Sequence, residues 1–155
     1  MKIKPEKISA ENFSKFGKAV TAPEGKPTSE AADYKFWSDI ADYYIEGETE
    51  IGICTVYKQP ENEIKGMERH LRTPEILIPI DAPFIVPLLL DGENENLVEA
   101  FECRLGEAVV INKAVWHGAC LPAGKSTASY FVIFRKGTPY EDVEKKDLKP
   151  FEIIL

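Results

Sequence analysis

GMERHLRTPEILIPI, residues 66–80, is the stretch on which the reading of this chain turns. It holds two strand-like runs separated by the short break Arg72-Thr73-Pro74. In the first run, alternation puts Glu68 and His70 on one face and Met67, Arg69 and Leu71 on the other. The second run, Glu75 to Ile80, is almost wholly apolar and rich in β-branched residues, which favours a strand. The break turns the chain, so Glu75 can reach the space that His70 faces. Spacing leaves two readings open: a metal pocket inside a small β-barrel, or a solvated hairpin end.

The same texture continues outward. YKFW (34–37), EIGICTVYK (50–58), FIVPLLL (84–90), NLVEAFEC (96–103), EAVVI (107–111), VWHGAC (115–120) and TASYFVIFR (127–135) are short and rich in β-branched and aromatic residues. Turn-forming stretches such as DGENEN (91–96) and LPAGKST (121–127) separate them. Such a succession predicts an all-β sandwich or barrel. Pro79, Pro83 and Pro87 would each remove a ladder bond from a central strand, so they predict edges, bends or bulges. ISAENFSKFG (8–17) reads as a short helix, with Ser9 as N-cap and Gly17 ending it in a left-handed turn. TAPEGKPTSEAA (21–32) reads as a loop. The tail YEDVEKKDLKPFEIIL (140–155) reads as a helical turn and then a terminal strand.

At 155 residues the chain is expected to form one domain able to bury most of its apolar surface. Its formal net charge is -7, with both signs mixed along the chain and no basic block. Nucleic-acid binding needs clustered Lys and Arg to displace counterions, so it is not expected. The same charge repels anionic membranes. Cys54, Cys103 and Cys120 make an odd count without a C-x-x-C pair. They read as small buried apolar residues in a reducing compartment, not as a disulfide framework or a structural zinc site. The N-terminus lacks an apolar signal core, and no run reaches the roughly 18 apolar residues of a membrane span. The expected location is cytoplasmic.

His70 and His117 are the only two histidines, so an imidazole-based metal site must use both and take carboxylates for the rest. Glu68, His70, Glu75 and His117 suffice for a transition metal with positions left open for water and substrate. Trp116 and His117 point to opposite faces, and Trp116 reads on its own as a core or subunit-interface residue. Lys113, near His117, reads on its own as an exposed turn lysine. Arg135, at a strand end, reads on its own as a structural ion-pair partner.

Glu68-x-His70 followed by Glu75 resembles the first cupin motif, with Glu68 standing where that motif has its first histidine. Gly106, Asn112, Ala114 and His117 keep the spacing of the second motif, G-x5-P-x-G-x2-H, without its proline and second glycine. In order along the chain, NFSKFGKAV, MERHLRTPEILIPI, AVWHGACL and FRKG are similar to segments of the ureidoglycolate lyase family, itself cupin-like. The resemblance implies a cupin-type double-stranded β-helix barrel (a jelly roll) over 1–155 with a short N-terminal helix, paired as a homodimer. It implies a carbon–nitrogen lyase splitting ureidoglycolate to glyoxylate and urea at a divalent metal: nickel, manganese or zinc. His70, Glu75 and His117 would be the metal ligands, and Glu68 a fourth ligand or the general base. Lys113 would meet the substrate carboxylate or donate a proton, and Arg135 and Trp116 would contact substrate.

The chain also departs from the family. Gly118 stands where members have a second histidine, Glu75 where they have glutamine, and Ser129 and Phe134 where they have aspartates. These changes keep two other readings in view. One is a different metal-dependent cupin enzyme, such as a sugar isomerase or an oxygenase. The other is a non-catalytic cupin that binds a small molecule.

Overall fold

The computed structural model describes residues 1–155. Two curled sheets face each other as a jelly-roll barrel. One sheet runs β3 (Gly17–Val20), β11 (Ala108–Ile111), β8 (Glu75–Pro79), β14 (Thr127–Arg135), β6 (Thr49–Tyr57). The other runs β1 (Lys2–Ile3), β15 (Glu144–Ile153), β7 (Glu63–Arg69), β12 (Trp116–His117), β9 (Phe84–Leu89), β10 (Glu99–Cys103), β2 (Glu6–Lys7), with β13 (Leu121–Pro122) also on β9. The chain crosses between sheets as it advances from β6 to β9, which brings strands distant in sequence around one interior. All strand pairs are antiparallel except β1 with β15 and β2 with β10.

Alternation explains which residues fill that interior. On β9, Phe84, Val86 and Leu88 enter the main core, whereas Ile85 and Leu89 enter a second apolar cluster behind the sheet. Both faces of this strand are therefore buried, which is why its sequence is a continuous apolar run. Its proline fits because the Pro87 carbonyl accepts from the Gly118 amide at 2.9 Å, in the gap between β12 and β13. The missing Pro87 N–H thus falls on the side where no strand asks for it. Pro79 lies similarly, on the side of β8 that β11 leaves after Leu77. Pro79 and Pro87 thus sit within central strands, at local gaps in pairing, and not at the edges, bends or bulges expected of them.

The N-terminal helix expected over 8–17 does not form. The segment is a succession of turns. Its amides bond irregularly, Phe13 to Ser9 at 3.2 Å, Ser14 to Glu11 at 3.3 Å and Phe16 to Phe13 at 2.9 Å. Side chains compete for the backbone. Asn12 Nδ2 donates to the Lys7 carbonyl, Ser14 Oγ to the Glu11 carbonyl, and Ser9 and Asn12 exchange two bonds. A segment this short has little cooperative helix strength to resist them. Phe13 and Phe16 instead plug one end of the barrel, both fully buried and edge-on to Phe101 at 5.2 and 5.6 Å. Each such burial contributes about 1.5–3 kcal/mol. Gly17 opens β3 rather than ending a helix.

Part of the expected loop 21–32 is ordered as β4 (Ser29–Ala31), paired with β5 (Tyr34–Phe36) in a separate hairpin. The one α-helix is α1 (Thr138–Glu141), the expected turn ahead of the terminal strand, and a 3-10 turn spans Glu95–Leu97. The three cysteines are free, with Cys103 and Cys120 buried. No helix is long and apolar enough to cross a membrane.

Candidate metal centre

The centre sits where the ends of β7 and β12 meet the start of β8. β7 delivers Glu68, and the turn after it holds His70. β8 opens with Glu75, and β12 closes with His117. His70, Glu75 and His117 are each less than a tenth exposed, and all four line a cavity of about 1030 Å³ between the sheets. His117 Nε2 lies 3.3 Å from His70 Nε2 and 3.0 Å from Glu75 Oε2, and His70 Nε2 lies 3.5 Å from Glu75 Oε2. Donor atoms of Glu68, His70 and His117 also fall within 4.8 Å of one another.

The tautomer of His70 follows from its surroundings. Its Nδ1 is 2.7 Å from the carbonyl oxygen of Asp142, which can only accept, so Nδ1 carries the hydrogen. The lone pair of Nε2 therefore points into the cluster. Glu75 Oε2 is buried and, despite its proximity to both rings, receives no well-directed hydrogen bond. Two imidazole nitrogens and an orphaned carboxylate oxygen within about 3 Å of each other are poor company for themselves. They are the donor set and spacing that ligands of one ion adopt when each lies roughly 2.1 Å from it. The residues fit a divalent metal.

The charges agree with this arrangement. Burial would raise the Glu75 carboxyl, but His117 and His70 overcome it and hold Glu75 well below the usual carboxylate range. Burial would lower His70, yet Glu75, the Asp142 carbonyl and Glu68 together raise it. Burial pushes the Cys120 thiol far up, so it stays protonated and is no nucleophile beside His117.

Asp142, just after α1, is the residue that sequence reasoning missed. Its carboxylate accepts from the amides of Leu71 and Arg72 at 2.9 and 2.8 Å, while its carbonyl orients His70. Nothing in YEDVEKK marks it, because its partners lie about 70 residues away. Asp142→Ala would strand two amides and free the turn that carries His70. We expect a loss of about 2–4 kcal/mol by chemical denaturation and a 10- to 100-fold weaker metal affinity by competition with a chelator. Unchanged metal affinity would show that the main-chain carbonyl of residue 142 orients His70 without help from the carboxylate.

The structure does not bring the other sequence-selected residues to this cluster. Lys113 lies in the β11–β12 turn on the outward side of the sheet, in a groove with Lys18, Tyr43, Tyr44 and Pro74. Arg135 is an odd-numbered residue of β14, where Tyr130, Val132 and Phe134 are the ones that line the cavity. Trp116 alternates away from His117 and is sandwiched outside by Arg69 and Lys146, each 4.5 Å from its ring. Arg69 there bridges Asp91 at 2.8 Å and Glu144 at 2.7 Å, tying β15 to β7.

With the geometry in view, comparison with known proteins is informative. The family described as ureidoglycolate lyase matches residues 1–154. The chain belongs to the ureidoglycolate lyase family. No curated protein matches it in sequence. Among solved structures it is similar to oxalate decarboxylase of Bacillus subtilis, at 17% identity and a TM-score of 0.44 over 82% of this chain and 35% of that one. It is similar to the vicilin of Solanum melongena, at 8% identity and a TM-score of 0.46 over 64% and 26%. It is also similar to RmlC of Streptococcus suis, at 12% identity and a TM-score of 0.44 over 59% and 45%. The chain spans less than half the length of each.

The departures from the family pattern now have positions. Ala114, at the second cupin motif's glycine, takes a left-handed φ of 65°, the conformation that explains a glycine there. Its amide bonds the His70 carbonyl at 2.8 Å. Ser129 faces outward to Thr55 at 2.8 Å, so an acid lost there leaves the cavity unchanged. Phe134 does line the cavity, and its ring stands edge-on to His70 at 5.7 Å. At Gly118 a Cβ would meet Pro87 at 3.2 Å and Ile64 at 3.3 Å. Restoring the family histidine by Gly118→His should therefore cost about 1–3 kcal/mol by thermal melting. A variant as stable as the parent would show that β9 yields at Pro87.

Proposed function

We propose that the protein is a ureidoglycolate lyase acting at a divalent metal held by His70, Glu75 and His117. The observation that supports this most is the convergence of two Nε2 atoms on the orphaned Glu75 oxygen, with His70 locked in the right tautomer by Asp142. A bound ion would supply Lewis-acid polarisation of the substrate hydroxyl, making its proton easier to remove.

The chain's own residues do the rest. Glu68, half-buried beside His117, accepts the hydroxyl proton. The oxygen's electrons form the carbonyl of glyoxylate as the carbon–nitrogen bond breaks. The departing nitrogen takes up a proton, which Glu68 can return, so urea leaves neutral and the base is restored. A well-placed group of this kind contributes about 100- to 10,000-fold. Lys113, Arg135 and Trp116 have no part in this scheme. Leu77, Val132 and Phe134 give the cavity dry walls, which strengthen the charge interactions within it.

The implied homodimer has a candidate face on the five-stranded sheet. Ile51, Ile53 and Tyr57 of β6 stand 71%, 66% and 64% exposed there, beside Phe131 of β14, and such a row supports pairing of two copies. The function is tested by glyoxylate release from ureidoglycolate, with protein reconstituted separately with nickel, manganese and zinc. No release with any of them would sink the reading.

A further inference from the structure

A row of residues crosses three strands at the cavity wall, and the scheme above leaves one end of it idle. His117 on β12 lies opposite Glu68 on β7, and Glu68 lies opposite Lys145 on β15. Directly opposed residues of antiparallel neighbours project from the same face. All three line the cavity. The row therefore presents an imidazole, a carboxylate and an ammonium side by side. Strands lie about 4.8 Å apart, so Lys145 starts about 10 Å from His117. Its flexible four-carbon stem can fold back over that interval.

Charge singles out this lysine. The cavity is lined by the carboxylates Glu50, Glu68, Glu75 and Asp147, and by only two lysines. Lys146 lies over the outer Trp116 ring at 4.5 Å. The ion pairs of β15 use Glu144 and Glu152 and leave Lys145 without a partner, although Glu68 is beside it. No arginine lines the cavity.

We propose that Lys145 anchors the carboxylate of the substrate, a small 2-hydroxy acid whose other end reaches the His70–Glu75–His117 cluster. The identity of the acid rests on the lyase reading; the need for an anion at this end rests on the row itself. A carboxylate has two oxygens, so one can meet Lys145 while the other faces the cluster. A lysine here, unlike an arginine fork, suits acids of slightly different length. In sequence Lys145 is one charge among many in EDVEKKDLK, and only the register of β15 on β7 lifts it out.

The test is calorimetric titration of glyoxylate, with neutral urea as the control, into the manganese-loaded and the metal-free protein. Lys145→Met should weaken glyoxylate binding about 10- to 100-fold in both forms. Lys145→Arg should stay within about threefold, and Lys149→Met, farther along the same strand, should match the parent. Urea binding should not move. Equal glyoxylate affinity in Lys145→Met and the parent overturns the proposal, as does a parent that binds no glyoxylate. Turnover of ureidoglycolate is read separately. A parent without turnover, but with glyoxylate binding that needs Lys145, sinks the lyase and leaves the anchor standing. A parent with turnover whose KM is unmoved by Lys145→Met sinks the anchor and leaves the lyase. With both intact, the variant raises KM and changes kcat less.

Discussion

His117→Ala should abolish both metal retention and glyoxylate release. Three donor atoms meet at 3.0 to 3.5 Å in the cluster, and His117 supplies the one nearest to Glu75. Without it, an ion keeps one imidazole and one carboxylate from this trio. Loss of an outer partner of a ligand costs about 10- to 100-fold in metal affinity, so loss of a ligand should exceed that. Several kcal/mol of Lewis-acid stabilisation would go with the ion, roughly 1,000-fold or more in rate. The metal-free protein also suffers, because Glu75 is a buried carboxylate whose low pKa depends first on His117 among its attractive partners. The measurement is metal content after dialysis, beside turnover, with circular dichroism to establish that the variant is folded. A folded variant that keeps a stoichiometric ion and full turnover would remove His117 from the ligand set.

The second large effect lies far from the chemistry. Gly17→Ala should cost about 4 kcal/mol or more, a fall in Tm of roughly 8–16 °C. A Cβ at Gly17 would stand 1.8 Å from the Val110 carbonyl oxygen and 2.9 Å from its carbon, at a positive φ of 154°. Both obstacles are backbone, so no side chain can swing aside. Relief requires β3 to lift off β11, where four residue pairs hold it. The adjacent Phe13–Phe16 plug would lift with it. Gly52→Ala is the control, since its nearest obstacle is the Val132 carbonyl at 4.0 Å. It should stay within about 0.5 kcal/mol of the parent. Equal melting of Gly17→Ala and the parent would mean that β3 is not packed on β11 this closely.

Much of the barrel could be read from local pattern. The alternation in EIGICTVYK and TASYFVIFR marks strands with one inward and one outward face, and FIVPLLL marks a strand buried on both. The same logic separated Glu68 and His70 from Arg69, and His117 from Trp116. With only two histidines in the chain, it pointed to the strand ends where His70, Glu75 and His117 cluster. It could not settle the N-terminal segment, because Asn12 and Ser14 bond the backbone in ways that helix periodicity does not register. Nor could it place Lys113, whose nearness to His117 in sequence is undone by the turn between β11 and β12.

What the sequence determined by itself was the class of fold and the inventory of candidate ligands, since strand periodicity and residue type are properties of a short stretch of chain. What only the tertiary structure decided was which groups share a space. Asp142 meets His70 and the amides after it, and Lys145 meets Glu68, across about 70 and 77 residues. Those meetings depend on the register of β15 against β7. Register is a property of two strands together, set by burial of their common face and written in neither strand alone.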